Sequence, residues 1–211
     1  MKKTLLMLVL GMLVATMGFA QEQEVTVVEE KIQETAGGTE EVFNIYTEKW
    51  AGDNHYAPSG WMGDFGDIKI EDNSRVDPHS GNTCIEISYT AKGSHGAGWM
   101  GIYWQNPPNN WGDQMGGYDL TGYKKLVFWA KGEKGREVIS EIKIGGISGE
   151  FFDSDSASIG PIKLTKEWQQ FEIDLEDLDL AYISGGFCLS ARASENPEGF
   201  TVYFDDIQYV K

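Results

Sequence analysis

Hydrophobic and polar side chains alternate one for one in several short stretches of this chain. Ile85, Ile87 and Tyr89 oppose Cys84, Glu86 and Ser88, and Phe187, Leu189 and Ala191 oppose Cys188, Ser190 and Arg192. The same period sets Val138, Ile142 and Ile144 against Ile139, Glu141 and Lys143. A strand points successive side chains to opposite faces, so each stretch predicts a strand with one buried and one wet face. Strands are predicted over 42–46, 68–71, 83–90, 98–104, 125–130, 138–144, 168–175, 186–192 and 201–210. No stretch of about ten residues carries an apolar stripe at helical spacing. The alternating Asp and Leu of 175–182 read as a turn. This pattern predicts an all-β fold, a two-sheet antiparallel jelly-roll β-sandwich. Unequal connections disfavour an up-and-down barrel, and the lack of a fixed-period repeat disfavours a propeller or β-helix.

The N-terminus follows a different pattern. Met1-Lys2-Lys3 is basic, 4–17 is apolar, and Gly18-Phe19-Ala20 supplies the small residues of a cleavage site. This predicts a signal peptide over 1–20, cleaved after Ala20, and hence a secreted or periplasmic protein. Residues 21–41 hold seven Glu, one Lys and no aromatic residue, which predicts an acidic flexible leader. The sandwich is predicted over 42–211. No later stretch approaches the ~20 apolar residues of a membrane span.

Composition narrows the partners. Of 211 residues 26 are Gly, well above the usual share, and seven are Trp. Acidic residues number 33 against 17 basic ones, for a net charge of −16. That charge excludes a nucleic-acid backbone or an anionic membrane as the main partner. In an oxidising compartment Cys84 and Cys188 form a disulfide if their strands are adjacent, and otherwise two separate thiols. His55, His79 and His95 show no metal-ligand spacing, and no Gly-x-Ser-x-Gly elbow is present. The chain is expected to be a monomer and not an enzyme.

Three segments carry a family resemblance. They are Tyr123-Lys-Lys-Leu-Val-Phe-Trp-Ala-Lys131, Glu167-Trp168 followed by Phe171-Glu-Ile-Asp-Leu175, and Thr201-Val-Tyr-Phe-Asp-Asp-Ile-Gln-Tyr-Val210. Together they resemble strands of the galactose-binding-domain-like jelly rolls, which include non-catalytic carbohydrate-binding modules of secreted bacterial proteins. The resemblance covers 42–211 and implies a glycan-binding protein without chemistry. It also implies a structural calcium ion (Ca2+) at Asp205 and Asp206, with Asp77 and Gly81 from the loop before 83–90. The alternative is that the two Asp bond to backbone N–H groups.

Sugar binding needs flat rings for pyranose C–H faces and forked polar side chains for hydroxyls. Two sets could supply them. One is the outward row Glu86, Ser88, Glu141, Lys143, Ser190 and Arg192 on a concave sheet, with Trp129 as platform; otherwise this is an ordinary solvated face. The other is a loop set, Trp104, Asn110 and Trp111 together with Trp61 and Asp64. Trp99 and Tyr103 point opposite to Met100, Ile102 and Trp104, so one of these faces belongs to the core. Two other function classes remain. A polysaccharide lyase or hydrolase on the same fold needs a cleft with paired carboxylates. An envelope structural or adhesion protein needs a flat apolar patch.

Overall fold

The computed structural model describes residues 41–211, so the expected signal peptide and all but the last residue of the expected leader lie outside it. Thirteen strands follow in order: β1 (Val42–Tyr46), β2 (Ala57–Gly63), β3 (Ile68–Ser74), β4 (Cys84–Tyr89), β5 (Trp99–Gln105), β6 (Lys125–Gly132), β7 (Val138–Ile139), β8 (Glu141–Gly145), β9 (Ser156–Ile159), β10 (Ile162–Lys163), β11 (Gln169–Asp174), β12 (Gly185–Arg192) and β13 (Phe200–Val210). A six-stranded sheet runs β11-β6-β13-β4-β3, with β1 also paired to β13. A five-stranded sheet runs β2-β5-β12-β8-β9, and β7 with β10 makes a short ribbon. Every pairing within these sheets is antiparallel. The fold is the two-sheet jelly-roll β-sandwich that the alternation predicts.

Alternation decides which side chains fill the space between the sheets. Ile85, Ile87 and Tyr89 of β4 face Met100, Ile102 and Trp104 of β5 and Phe187, Leu189 and Ala191 of β12 in one buried cluster. Four large rings meet at its centre. Phe187 touches Trp104, Phe128 and Phe204 edge-on or tilted, with centroids 5.3, 5.6 and 5.9 Å apart. Such edge contacts let the rings interdigitate at the density of a packed core.

The ends of the predicted strands depart from expectation where the local chemistry changes. The stretch 138–144 breaks at Ser140, so Ile139 joins Ile142 and Ile144 in the core and the expected phase of Val138 and Ile139 is reversed. Strands β2, β9 and β10 were not expected. β2 carries Pro58, Gly60 and Gly63 and lies at a sheet edge, where a strand needs only one partner and little periodicity survives.

The longest strand, β13, organises the six-stranded sheet. It pairs with β6 along most of its length. On its other side it pairs with β4 over Phe200–Phe204 and then with β1 over Ile207–Val210. Asp205 and Asp206 sit where the partner changes. The ladder is interrupted there by a bulge, and Asp206 takes a left-handed φ of 45°.

Candidate functional site

The outer face of the five-stranded sheet is built by the residues that alternate with the core set. From β5 these are Trp99, Gly101, Tyr103 and Gln105. From β12 they are Cys188, Ser190 and Arg192, and from β8 Glu141 and Lys143. Register sets Trp99 beside Arg192, Gly101 beside Ser190 and Glu141, and Tyr103 beside Cys188 and Lys143. The floor is kept low by glycine. A Cβ on Gly101 would lie 2.7 Å from the Met62 Cε and 3.1 Å from the Trp99 ring, and one on Gly63 would lie 3.0 Å from that ring. The missing side chains let the Trp99 indole settle against the sheet while it stays 37 % exposed. Four residues along β5, about 13 Å, Tyr103 stands with its hydroxyl donating to the Gly145 carbonyl at 2.9 Å. Trp111 packs edge-on to the Tyr103 ring at 5.9 Å and is 39 % exposed. The Lys143 ammonium lies 5.4 Å from the centre of the same ring. A cleft of about 480 Å³ opens at the Trp99 end, lined by Trp99, Ser140, Glu141, Ser158, Ser190 and Arg192.

This face gathers only part of the expected binding set. Glu141, Lys143, Ser190, Arg192 and Trp111 are on it. Glu86, Ser88 and Trp129 belong to β4 and β6 and project from the outer face of the six-stranded sheet, so the expected single row is split across the two opposite surfaces. Trp104 is 2 % exposed and wedged against Phe187, which makes it a core residue. Trp61 is 39 % exposed as expected, but it is in register with Ile102 and so lies off the phase of Trp99 and Tyr103 on the edge strand β2. Asp64 is fully buried and accepts the N–H groups of His95, Ala97 and Gly98 at 2.8, 2.9 and 2.7 Å. These donors, Ala97 foremost, hold its carboxyl below the usual range, so it fixes the 95–98 loop, and its full burial keeps it from a ligand. Asn110 is likewise buried. It donates to the Gln114 carbonyl, accepts from Gly112 N–H, and its own carbonyl accepts from Gln105. It braces the loop that carries Trp111. The alternation alone leaves open whether Trp99 and Tyr103 face the core. Their parity opposite Met100 and Ile102, with Gly101 between them, is the signal that marks them.

On the opposite surface the chain roofs its own sheet. The His79 ring stacks on Trp129 with centroids 3.8 Å apart. Trp168 donates its indole N–H to the Asp77 carbonyl at 2.9 Å. The Lys131 ammonium pairs with the Asp77 carboxylate and sits 4.8 and 5.1 Å from the Trp168 and Tyr203 rings. Glu86 accepts a hydrogen bond from Ser74 at 2.8 Å. Segment 75–82 therefore covers the face that Trp129 would have offered.

The residues expected to hold calcium are spent in the same roof. One Asp205 oxygen accepts the His79 and Ser80 N–H groups at 2.9 and 3.3 Å, and the other accepts Asp206 N–H. Asp206 accepts from His79 and Ser80 side chains at 2.7 and 2.9 Å. Gly81 faces the Glu48 carboxylate, which would lie 1.7 Å from an added Cβ. N–H groups and an ammonium fill the places where a cation would need open oxygens, so this donor set does not fit a calcium ion. Among the described residues no group of three or more His, Cys, Asp or Glu converges as a metal site. Burial, with the Asp206 charge second, pushes the Asp205 carboxyl up to about 6.

The two cysteines are free thiols, the second of the two outcomes that the sequence leaves open. Cys84 lies on the outer side of the six-stranded sheet and Cys188 on the outer side of the five-stranded one, so the whole core separates them. Packed sheets stand about 10 Å apart, beyond the reach of a disulfide. Burial pushes each thiol up to about 12.

Comparison with known proteins places these observations. The family model for carbohydrate binding domain 30 matches residues 42–211. A crystal structure of a family 30 carbohydrate-binding module is similar, with TM-score 0.55 and 18% identity over 81% of this chain and 87% of that one. The family 30 module of the cellulosomal cellulase Cel9D-Cel44B of Clostridium thermocellum gives 0.54 and 18%, over 80% and 96%. The family 11 module from Clostridium thermocellum, solved with a β-1,3-1,4-mixed-linked tetrasaccharide, gives 0.51 and 15%, over 78% and 94%. No curated protein sequence matches.

Proposed function

This chain belongs to the carbohydrate-binding domain 30 family and is a non-catalytic carbohydrate-binding module, and from that premise we propose that it takes its glycan along the outer face of the five-stranded sheet. One observation carries the choice of face. Trp99, Tyr103 and Trp111 stand along it beside a floor of Gly101, Ser190 and Cys188, while segment 75–82 closes the other face. Trp99 and Trp111 offer ring surface to pyranose C–H groups. Glu141, Ser190, Lys143 and Arg192 offer acceptors and donors to the hydroxyls. The basic, apolar and small-residue blocks of 1–20 support export to where polysaccharide is met.

The mixed-linked glucan held by the family 11 relative is the first ligand to try. Affinity electrophoresis in gels containing mixed-linkage β-glucan should retard the protein. Trp99→Ala and Trp111→Ala should each restore mobility, and Trp129→Ala should run with the wild type. Retardation lost in Trp129→Ala and kept in Trp99→Ala would move the site to the opposite sheet.

A further inference from the structure

The chain carries −16, yet two cations stand on the groove face without a carboxylate partner. The ion pairs among the described residues use Lys49, His79, Lys125, Lys131, Arg136 and Lys211, and none involves Lys143 or Arg192. Lys143 is only partly exposed. Its stem lies on the sheet and its ammonium on the Tyr103 ring, so it has given up part of its hydration before any ligand arrives. Arg192 is exposed beside Trp99, with its planar fork free.

We propose that the glycan bound on this face is acidic, with the carboxylates of uronic acid sugars received by Lys143 and Arg192. This rests on the assignment of the groove in the preceding section and names the ligand class for it. Register gives the spacing. Lys143 is opposite Cys188, and Arg192 lies four residues further along β12, about 13 Å away. Glu141, opposite Ser190, comes between them. A carboxylate at the middle position would meet Glu141, whereas a neutral sugar there can donate its hydroxyls to it. Acidic sugars are therefore received at the two ends and a neutral one between them. A guanidinium matches a carboxylate with two parallel hydrogen bonds, and a half-desolvated ammonium gains more from an anion than from a hydroxyl. The acidic surface elsewhere repels polyanions at long range, so discrimination comes from contact within the groove.

Isothermal titration of the full chain with three probes tests this: an oligosaccharide in which uronic acid and neutral sugars alternate, a neutral mixed-linkage β-glucan oligosaccharide and dextran sulfate. The uronate should bind about tenfold tighter than the glucan in low salt, and the gap should narrow in 0.5 M NaCl, on the order of a 5 Å screening length. Lys143→Gln and Arg192→Gln should each lower uronate affinity by a larger factor than glucan affinity, and circular dichroism should show both folded. Glucan binding equal to or tighter than uronate, without salt dependence, overturns the acidic assignment and leaves the groove in place. Dextran sulfate binding as tightly as the uronate also overturns it, by reducing recognition to bulk charge. Failure of every probe to bind the wild type overturns the groove itself.

Discussion

Two tryptophans five positions apart illustrate how residue chemistry is divided here. Trp99 and Trp104 lie on the same strand with opposite parity, so one belongs to the surface and the other to the core. Trp104→Ala removes a buried ring against Phe187 and should cost about 3–5 kcal/mol of stability. Trp99→Ala removes a half-exposed ring and should leave the unfolding midpoint in urea near the wild-type value. Equal losses in the two variants would contradict this division. Asp205 makes a second prediction. It holds its proton up to about pH 6 in the folded chain, and in the unfolded chain only near the ordinary carboxylate value. Folding takes up a proton between these values, so this group adds stability as pH falls from 7 through the window, by about 3 kcal/mol at most. Glu48 is held below the usual range by the Thr83 hydroxyl and Asn82 N–H, so its contribution is lost at lower pH. Thermal midpoints should rise from pH 7 to about 5 and fall below about 4. Asp205→Asn should abolish the rise, and a wild-type midpoint that only declines from pH 7 would refute it.

Elements show what the sequence makes legible and what it hides. Strands such as β4 and β12 declare both their existence and their faces, because a strict two-residue period has one solution once aliphatic residues mark the core side. The sequence does not declare which strands are neighbours. Glu86 and Glu141 share a phase relative to the core but belong to different sheets, so the expected row of polar groups divided between two surfaces. The same gap left the cysteine pairing open. Loop polar residues such as Asp64 and Asn110 looked available because composition cannot show that backbone N–H groups already occupy them. At the β13 junction the question is whether Asp205 and Asp206 serve a cation or the loop above them. Their partners are N–H groups and the Ser80 hydroxyl, so EDTA should leave the thermal midpoint unchanged, and a fall of several degrees, reversed by added calcium, would contradict that reading.

For the whole molecule, the sandwich makes two unlike surfaces from one alternating pattern. One is covered by 75–82, pinned by His79 on Trp129 and by Asp77 on Lys131. The other is left open, with glycine under its aromatic rings and two unpaired cations at its rim. A jelly roll gives no preference between its faces, and the difference here lies in which loop folds back. The most direct measurement is an amide and indole NMR titration with the mixed-linkage tetrasaccharide or a uronate oligomer. Resonances of Trp99, Gly101, Ser190 and Lys143 should shift while those of Trp129, Lys131 and Tyr203 stay still. Shifts confined to Trp129, Lys131 and Tyr203 would place the glycan on the other sheet and contradict the account.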